Sequence, residues 1–133
     1  MSMVEPKNLP EQKKLILIYT SRGEIGALLL FPYIYNLVGE WIGWVTPERQ
    51  VFSVHGHFVG TMTNDPRIVR KREVANTVHR KTPPPEPPAI RPPAHLPLAP
   101  QLPELSTQMI DVLDDALHLL PPVDFGELRD DMD

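Results

Sequence analysis

Residues 19–62 state one pattern three times, and that repetition constrains the fold more than any other feature of the chain. Tyr19-Thr-Ser-Arg-Gly23-Glu-Ile-Gly26, Tyr35-Asn-Leu-Val-Gly39-Glu-Trp-Ile-Gly43 and Phe52-Ser-Val-His-Gly56-His-Phe-Val-Gly60 each place an aromatic four residues before a glycine. A second glycine follows directly after Ile, Ile or Val, and the copies recur every 16 or 17 residues. A fixed period of this kind marks one supersecondary unit used repeatedly.

Each copy reads as a β-hairpin: a short run of β-branched and aromatic residues, a glycine turn and a return strand. The tip glycines Gly23, Gly39 and Gly56 follow Arg22, Val38 and His55. A β-branched valine is poorly suited to positive φ. That argues against a type I′ turn, which demands positive φ at both central positions. A type I turn with a G1 bulge, or a type II turn, demands it only at the glycine. The second glycines, Gly26, Gly43 and Gly60, sit inside the return strand, where glycine costs stability. Their recurrence implies a bulge or a close approach of backbone. The repeat makes Tyr19, Tyr35 and Phe52 core residues. It also predicts a degenerate fourth unit over residues 68–78, in which Glu73 and Thr77 stand where glycines are expected.

Beyond the hairpins the composition changes. Most of the 17 prolines fall between Pro83 and Pro103, so the expected organisation is a leader (1–12), a β-hairpin domain (13–81), a proline-rich linker (82–103) and an amphipathic helix with an acidic tail (104–133). The linker is expected as an extended polyproline spacer. Ser106 or Thr107 can cap a helix running to Leu120 before Pro121-Pro122. Its apolar stripe of Met109, Ile110, Leu113, Leu117 and Leu120 needs something to pack on, because a helix of that length is marginal alone. No cysteine is present, which removes disulfides and thiolate metal sites. The first residues lack the apolar core of a secretory signal, and no apolar run is long enough to span a bilayer, so the expected location is cytoplasmic.

The net charge of −4 is unevenly spread: residues 67–91 carry +5 and residues 104–133 carry −8. Arg67, Arg70, Lys71, Arg72, Arg80 and Lys81 could contact nucleic acid, but docking of the acidic tail onto this basic segment is the preferred reading. The pair His55 and His57 flanks a turn without a third ligand in view, so ordinary turn histidines are favoured over a metal site. Glu24 and Glu40, at equivalent places after the tip glycine, read as solvated turn residues rather than an acid–base pair. No catalytic, cofactor or metal residues emerge. Trp41 and Trp44 are not demanded by the repeat, and they become the candidate exposed contacts of the β body.

The unit carried by Tyr19, Gly23, Gly26, Tyr35, Gly39, Gly43, Phe52, Gly56 and Gly60 resembles the bacterial four-fold beta-flower domain over about residues 15–78. That resemblance implies hairpins in a pseudo-four-fold arrangement, and it carries over no catalytic residues. The combined expectation is an all-β module with three clear hairpins, a degenerate fourth, a proline-rich linker and one short amphipathic helix. Its expected role is non-enzymatic protein interaction or assembly, with another protein or a second copy as partner and with nucleic acid as the alternative. No membrane or small-molecule substrate is inferred.

Overall fold

The structure is a computed structural model and describes residues 14–72 and 80–123. Among the described residues, eight antiparallel strands form one sheet in sequential order: β1 (Ile16–Tyr19), β2 (Ile25–Leu30), β3 (Tyr33–Tyr35), β4 (Trp41–Val45), β5 (Gln50–Ser53), β6 (Phe58–Met62), β7 (Ile68–Lys71) and β8 (Met109–Asp111). A one-turn helix α1 (Val112–Asp115) and a 3-10 turn (Leu117–Leu119) follow. The first three pairs are the three predicted hairpins. The leader, residues 73–79 of the expected fourth unit, and the acidic end with Phe125 and Leu128 lie outside the described residues.

All three tips have one construction. The N–H groups of Gly23, Gly39 and Gly56 donate to the carbonyls of Thr20, Asn36 and Ser53. The glycines have φ of 91°, 91° and 88°, whereas Arg22, Val38 and His55 keep negative φ. The glycine therefore holds the last position of the turn, which selects the type I turn with a G1 bulge over type II. The residue after each aromatic secures the turn. The Thr20 hydroxyl accepts from Glu24 N–H, the Asn36 side chain from Val38 and Glu40 N–H, and the Ser53 hydroxyl from His55 and His57 N–H.

The register redefines which residues are equivalent. Tyr19 pairs with Ile25, Tyr35 with Trp41 and Phe52 with Phe58, and one residue bulges before pairing resumes at Ile18–Ala27, Ile34–Gly43 and Val51–Gly60. Counted from the tip, the bulged residues are Gly26, Ile42 and Val59. Gly26 is thus not the counterpart of Gly43 and Gly60; Ala27 is. At Gly43 a Cβ would lie 2.6 Å from the Phe52 carbonyl oxygen, and at Gly60 2.3 Å from that of Val69. Close backbone approach between neighbouring hairpins requires glycine at both places.

Two apolar clusters result. The aliphatic residue preceding each aromatic position, Ile18, Ile34, Val51 and Ile68, is fully buried in the inner cluster, together with Ile42 and Val59. Leu28, Tyr35, Trp41, Trp44, Phe52 and Val54 make the second cluster. Tyr35 and Phe52 are core as expected, while Tyr19 is half-buried.

The largest departure lies after the prolines. Residues 109–111 are not helical. Met109, Ile110 and Asp111 pair with Lys71, Arg70 and Val69 as the return strand of the fourth hairpin. The expected cap at Ser106 or Thr107 is replaced by Asp111, whose carboxylate accepts from Leu113 and Asp114 N–H. Strand pairing with β7 outweighs the local helical rhythm here, since propensity is a weak preference. Part of the apolar stripe turns inward: Leu113 and Leu120 join the inner cluster, with Val112 and Ala116 beside them, while Leu117 stays exposed. Leu113 comes within 2.8 Å of where a Cβ on Gly26 would be, so it fills the space that Ile42 and Val59 occupy in their own hairpins.

The segment expected as a spacer also lies on the β body. Lys81 N–H donates to the Gly56 carbonyl and Ile90 N–H to that of Gly39, each at 3.0 Å. Leu113→Ala and Leu120→Ala are each expected to lower unfolding free energy by about 2–5 kcal/mol in urea denaturation, the range for buried leucines. A freely tethered helix would leave that value unchanged.

Candidate interaction surface

Two features outside the repeat stand out: a buried polar junction at the fourth corner, and an apolar cleft beside the second hairpin tip. The junction joins three elements far apart in sequence. Asp111, at the end of β8, accepts from the backbone N–H and the hydroxyl of Ser21 at 2.8 and 2.7 Å. Arg67 donates to Ser21 Oγ at 2.9 Å and, through Nε and Nη2, to Asp65 Oδ2 at 3.0 and 2.7 Å. Thr63 donates to the other oxygen of Asp65. Tyr19 N–H adds a backbone bond to the Pro66 carbonyl. The two ends of the sheet are thereby held together without strand pairing between β1 and β8.

Electrostatics at this corner run in both directions. Burial pushes the Asp65 carboxyl up, but the Thr63 hydroxyl and the Arg67 guanidinium outweigh it and hold Asp65 below its ordinary value. Asp114 is held above its ordinary value, by burial first and then by the charge of Asp111; Arg22, at 3.8 Å, offsets this only in part. Both effects are consistent with desolvation competing against local partners.

The cleft has a volume of about 530 Å³ and is lined mainly by apolar groups of Leu37, Val38, Leu117, Leu120, Pro121 and Pro122. Leu37, Val38 and Leu117 stand 39%, 68% and 54% exposed. Val38 is the residue next to the tip glycine, where a turn residue is normally polar.

The expected site residues are distributed differently from their sequence reading. Trp41 and Trp44 are buried, not exposed. Their indole N–H groups donate to the carbonyls of Gly43 and Ser53, Trp44 stacks on Phe52 at 4.9 Å, and Trp41 meets Tyr33 edge-on. Trp41 does have counterparts, Ile25 and Phe58, once the copies are aligned on the tip glycine. Of the helical stripe, Leu113 and Leu120 are buried, Met109 and Ile110 half-buried, and Leu117 alone is open.

The basic residues are largely engaged within the chain. Arg67 is only 3% exposed, held inside the polar junction by Asp65 and Ser21. Arg70, Arg72 and Arg80 donate to the carbonyls of Val59, Thr107 and His55, and Lys81 Nζ lies 6.0 Å from the Phe52 ring centroid. Lys71 is exposed. His55 and His57 are exposed turn residues. Among the described residues, no group of three or more His, Asp and Glu is arranged to hold a metal ion, and no helix is long and apolar enough to cross a membrane.

Geometry of this kind defines a class: antiparallel hairpins repeated around one core, three built alike and a fourth completed by a distant strand. Comparison with known families agrees, since the model of the 4-fold beta flower proteins matches residues 16–111, from the start of β1 to the end of β8. The chain belongs to that family. Neither the comparison with curated proteins nor that with solved structures gives a significant match.

Because the Asp65 carboxyl is depressed, its stabilising charge is fully present above the ordinary carboxylate value of 3.8 and is lost as pH falls through its own lower value. Wild-type melting temperature should therefore drop on acidification through that window, with a shallower drop in Asp65→Asn. At neutral pH that variant should lose about 3 kcal/mol, since Arg67 would stay buried without its counter-charge.

Proposed function

We propose that the chain is a non-enzymatic protein interaction or assembly module, whose contact surface is the cleft of Leu37, Val38 and Leu117. One observation carries the reading: three large apolar side chains from two separate elements are exposed around a single concavity. Scattered apolar residues are normal on a surface, whereas clustered ones mark contact sites. The partner is another protein, or a second copy, that offers an apolar anchor to the cleft. The role first expected of the tail helix passes to this cleft, because most of the stripe already has a partner in the chain's own core. The alternative reading, nucleic-acid binding, has less support, because Arg67 is buried and the arginines of the basic segment bond to backbone carbonyls.

Placing a photo-crosslinking residue at Val38 should yield a discrete protein adduct in cells of the source organism, and adding Leu117→Asp should abolish it. Absence of an adduct, or one indifferent to Leu117→Asp, would count against the cleft as a contact site. A nucleic-acid role would instead show as binding that weakens steeply with salt and is lost when Lys71 and Arg72 become alanine.

A further inference from the structure

The proline-rich segment docks on two hairpin tips in the same way. Lys81 N–H donates to the Gly56 carbonyl, the Lys81 carbonyl oxygen occupies the space over the glycine Cα, 2.2 Å from where a Cβ would be, and Pro83 Cδ lies 3.4 Å from that point. Ile90 repeats this on Gly39: N–H to carbonyl, its oxygen 1.9 Å from the Cβ position and Pro92 Cδ at 3.4 Å. In each case the docked residue is followed two positions later by a half-buried proline. A hairpin tip of this construction is thus a receptor for an extended residue–x–Pro triplet. Glycine is needed both for its φ and for the missing side chain.

The first hairpin has the same tip. Gly23 has φ of 91° and the same turn hydrogen bond, yet it is exposed and no described residue comes within 4 Å of its Cβ position. The chain also holds a triplet of the right form that is not docked. Leu98-Ala99-Pro100 lies eight residues beyond Ile90, nearly the interval from Lys81 to Ile90, and Leu98 is 93% exposed. The chain's own segment passes this corner farther on, where residues 102–107 line a cleft of about 430 Å³ with Ser21 and Arg22. We infer that the Gly23 tip is a docking site for an extended residue–x–Pro peptide and that its occupant is Leu98-Ala99-Pro100 of a second copy. Donor and receptor are then both open on every copy, and each contact consists of one backbone hydrogen bond and one packed proline. Such contacts give weak association that strengthens where two form reciprocally. The inference uses the assembly role proposed above but a different surface.

The test uses the full chain. Asparagine tolerates positive φ better than other side chains, so Gly23→Asn keeps the turn while placing a Cβ where the peptide carbonyl must sit. Sedimentation velocity from micromolar to millimolar protein should show self-association in the wild type and in Leu117→Asp. It should be lost in Gly23→Asn and in a double variant at exposed positions, Leu98→Ser with Pro100→Ala. A synthetic peptide of residues 95–103 should shift the amide resonances of residues 21–24 in the wild type and not in Gly23→Asn. A chain that stays monomeric, or self-association unaffected by Gly23→Asn and by the double variant, would overturn the inference. Peptide binding without self-association would overturn the second copy as occupant and assign the tip to another protein's peptide. Self-association lost only in Leu117→Asp would uphold the cleft and reject the tip.

Discussion

Asp111 is where the two ends of the sheet meet. Its carboxylate takes two hydrogen bonds from Ser21, at the tip of the first hairpin, and two from the first turn of α1, while its backbone belongs to β8. A buried carboxylate with four N–H or O–H donors is well compensated for desolvation. Through Ser21 it is coupled to Arg67 and Asp65, and so to the turn that enters β7. An eight-stranded sheet in sequential order has two free edges by construction. Here a polar cluster, a backbone bond from Tyr19 to Pro66 and the inward turn of α1 do the work that strand pairing does elsewhere. The inner core depends on that closure, since Val112, Leu113 and Leu120 enter it directly behind Asp111.

The hairpins were legible in the sequence because each tip rests on a residue type that cannot be substituted freely. Val38 beside Gly39 was enough to exclude one turn family, and the observed turns follow that argument. The second glycines do not align the copies correctly, because they fulfil different roles. Gly26 is a bulged residue whose missing side chain is replaced by Leu113, while Gly43 and Gly60 lie against a neighbouring carbonyl. Alignment on the tip glycines alone would have placed Trp41 with Ile25 and Phe58, as an interior residue. It would also have brought out the buried series Ile18, Ile34, Val51 and Ile68. One inter-hairpin turn hides its nature fully: Arg49 takes φ of 72° without being glycine, held by side-chain bonds to the Met62 and Thr63 carbonyls.

The tail departs from its sequence pattern for a different reason. The apolar rhythm of residues 109–120 suits a helix, but a strand and two short turns bury Leu113 and Leu120, leave Met109 and Ile110 half-buried and leave Leu117 open. What decided the outcome was β7, whose edge needed a partner, and no local pattern reports that. The candidate contacts moved accordingly. Leu117 belongs to the apolar stripe and Val38 to a hairpin tip, 79 residues apart in sequence, so only the fold brings them to one cleft.

The fourth hairpin differs from the others in one quantity. Its two strands are separated by 37 residues, against tight turns in the first three. Closing a longer loop costs additional entropy, about 0.6 kcal/mol for each doubling of length. Contacts distant in sequence also form more slowly than local ones. During synthesis the first seven strands leave the ribosome well before the strand and leucines that finish their interior. In the folded chain that interval is fastened to the third tip at Lys81 and to the second at Ile90, so the span left unfastened before the last strand is far shorter than the whole loop.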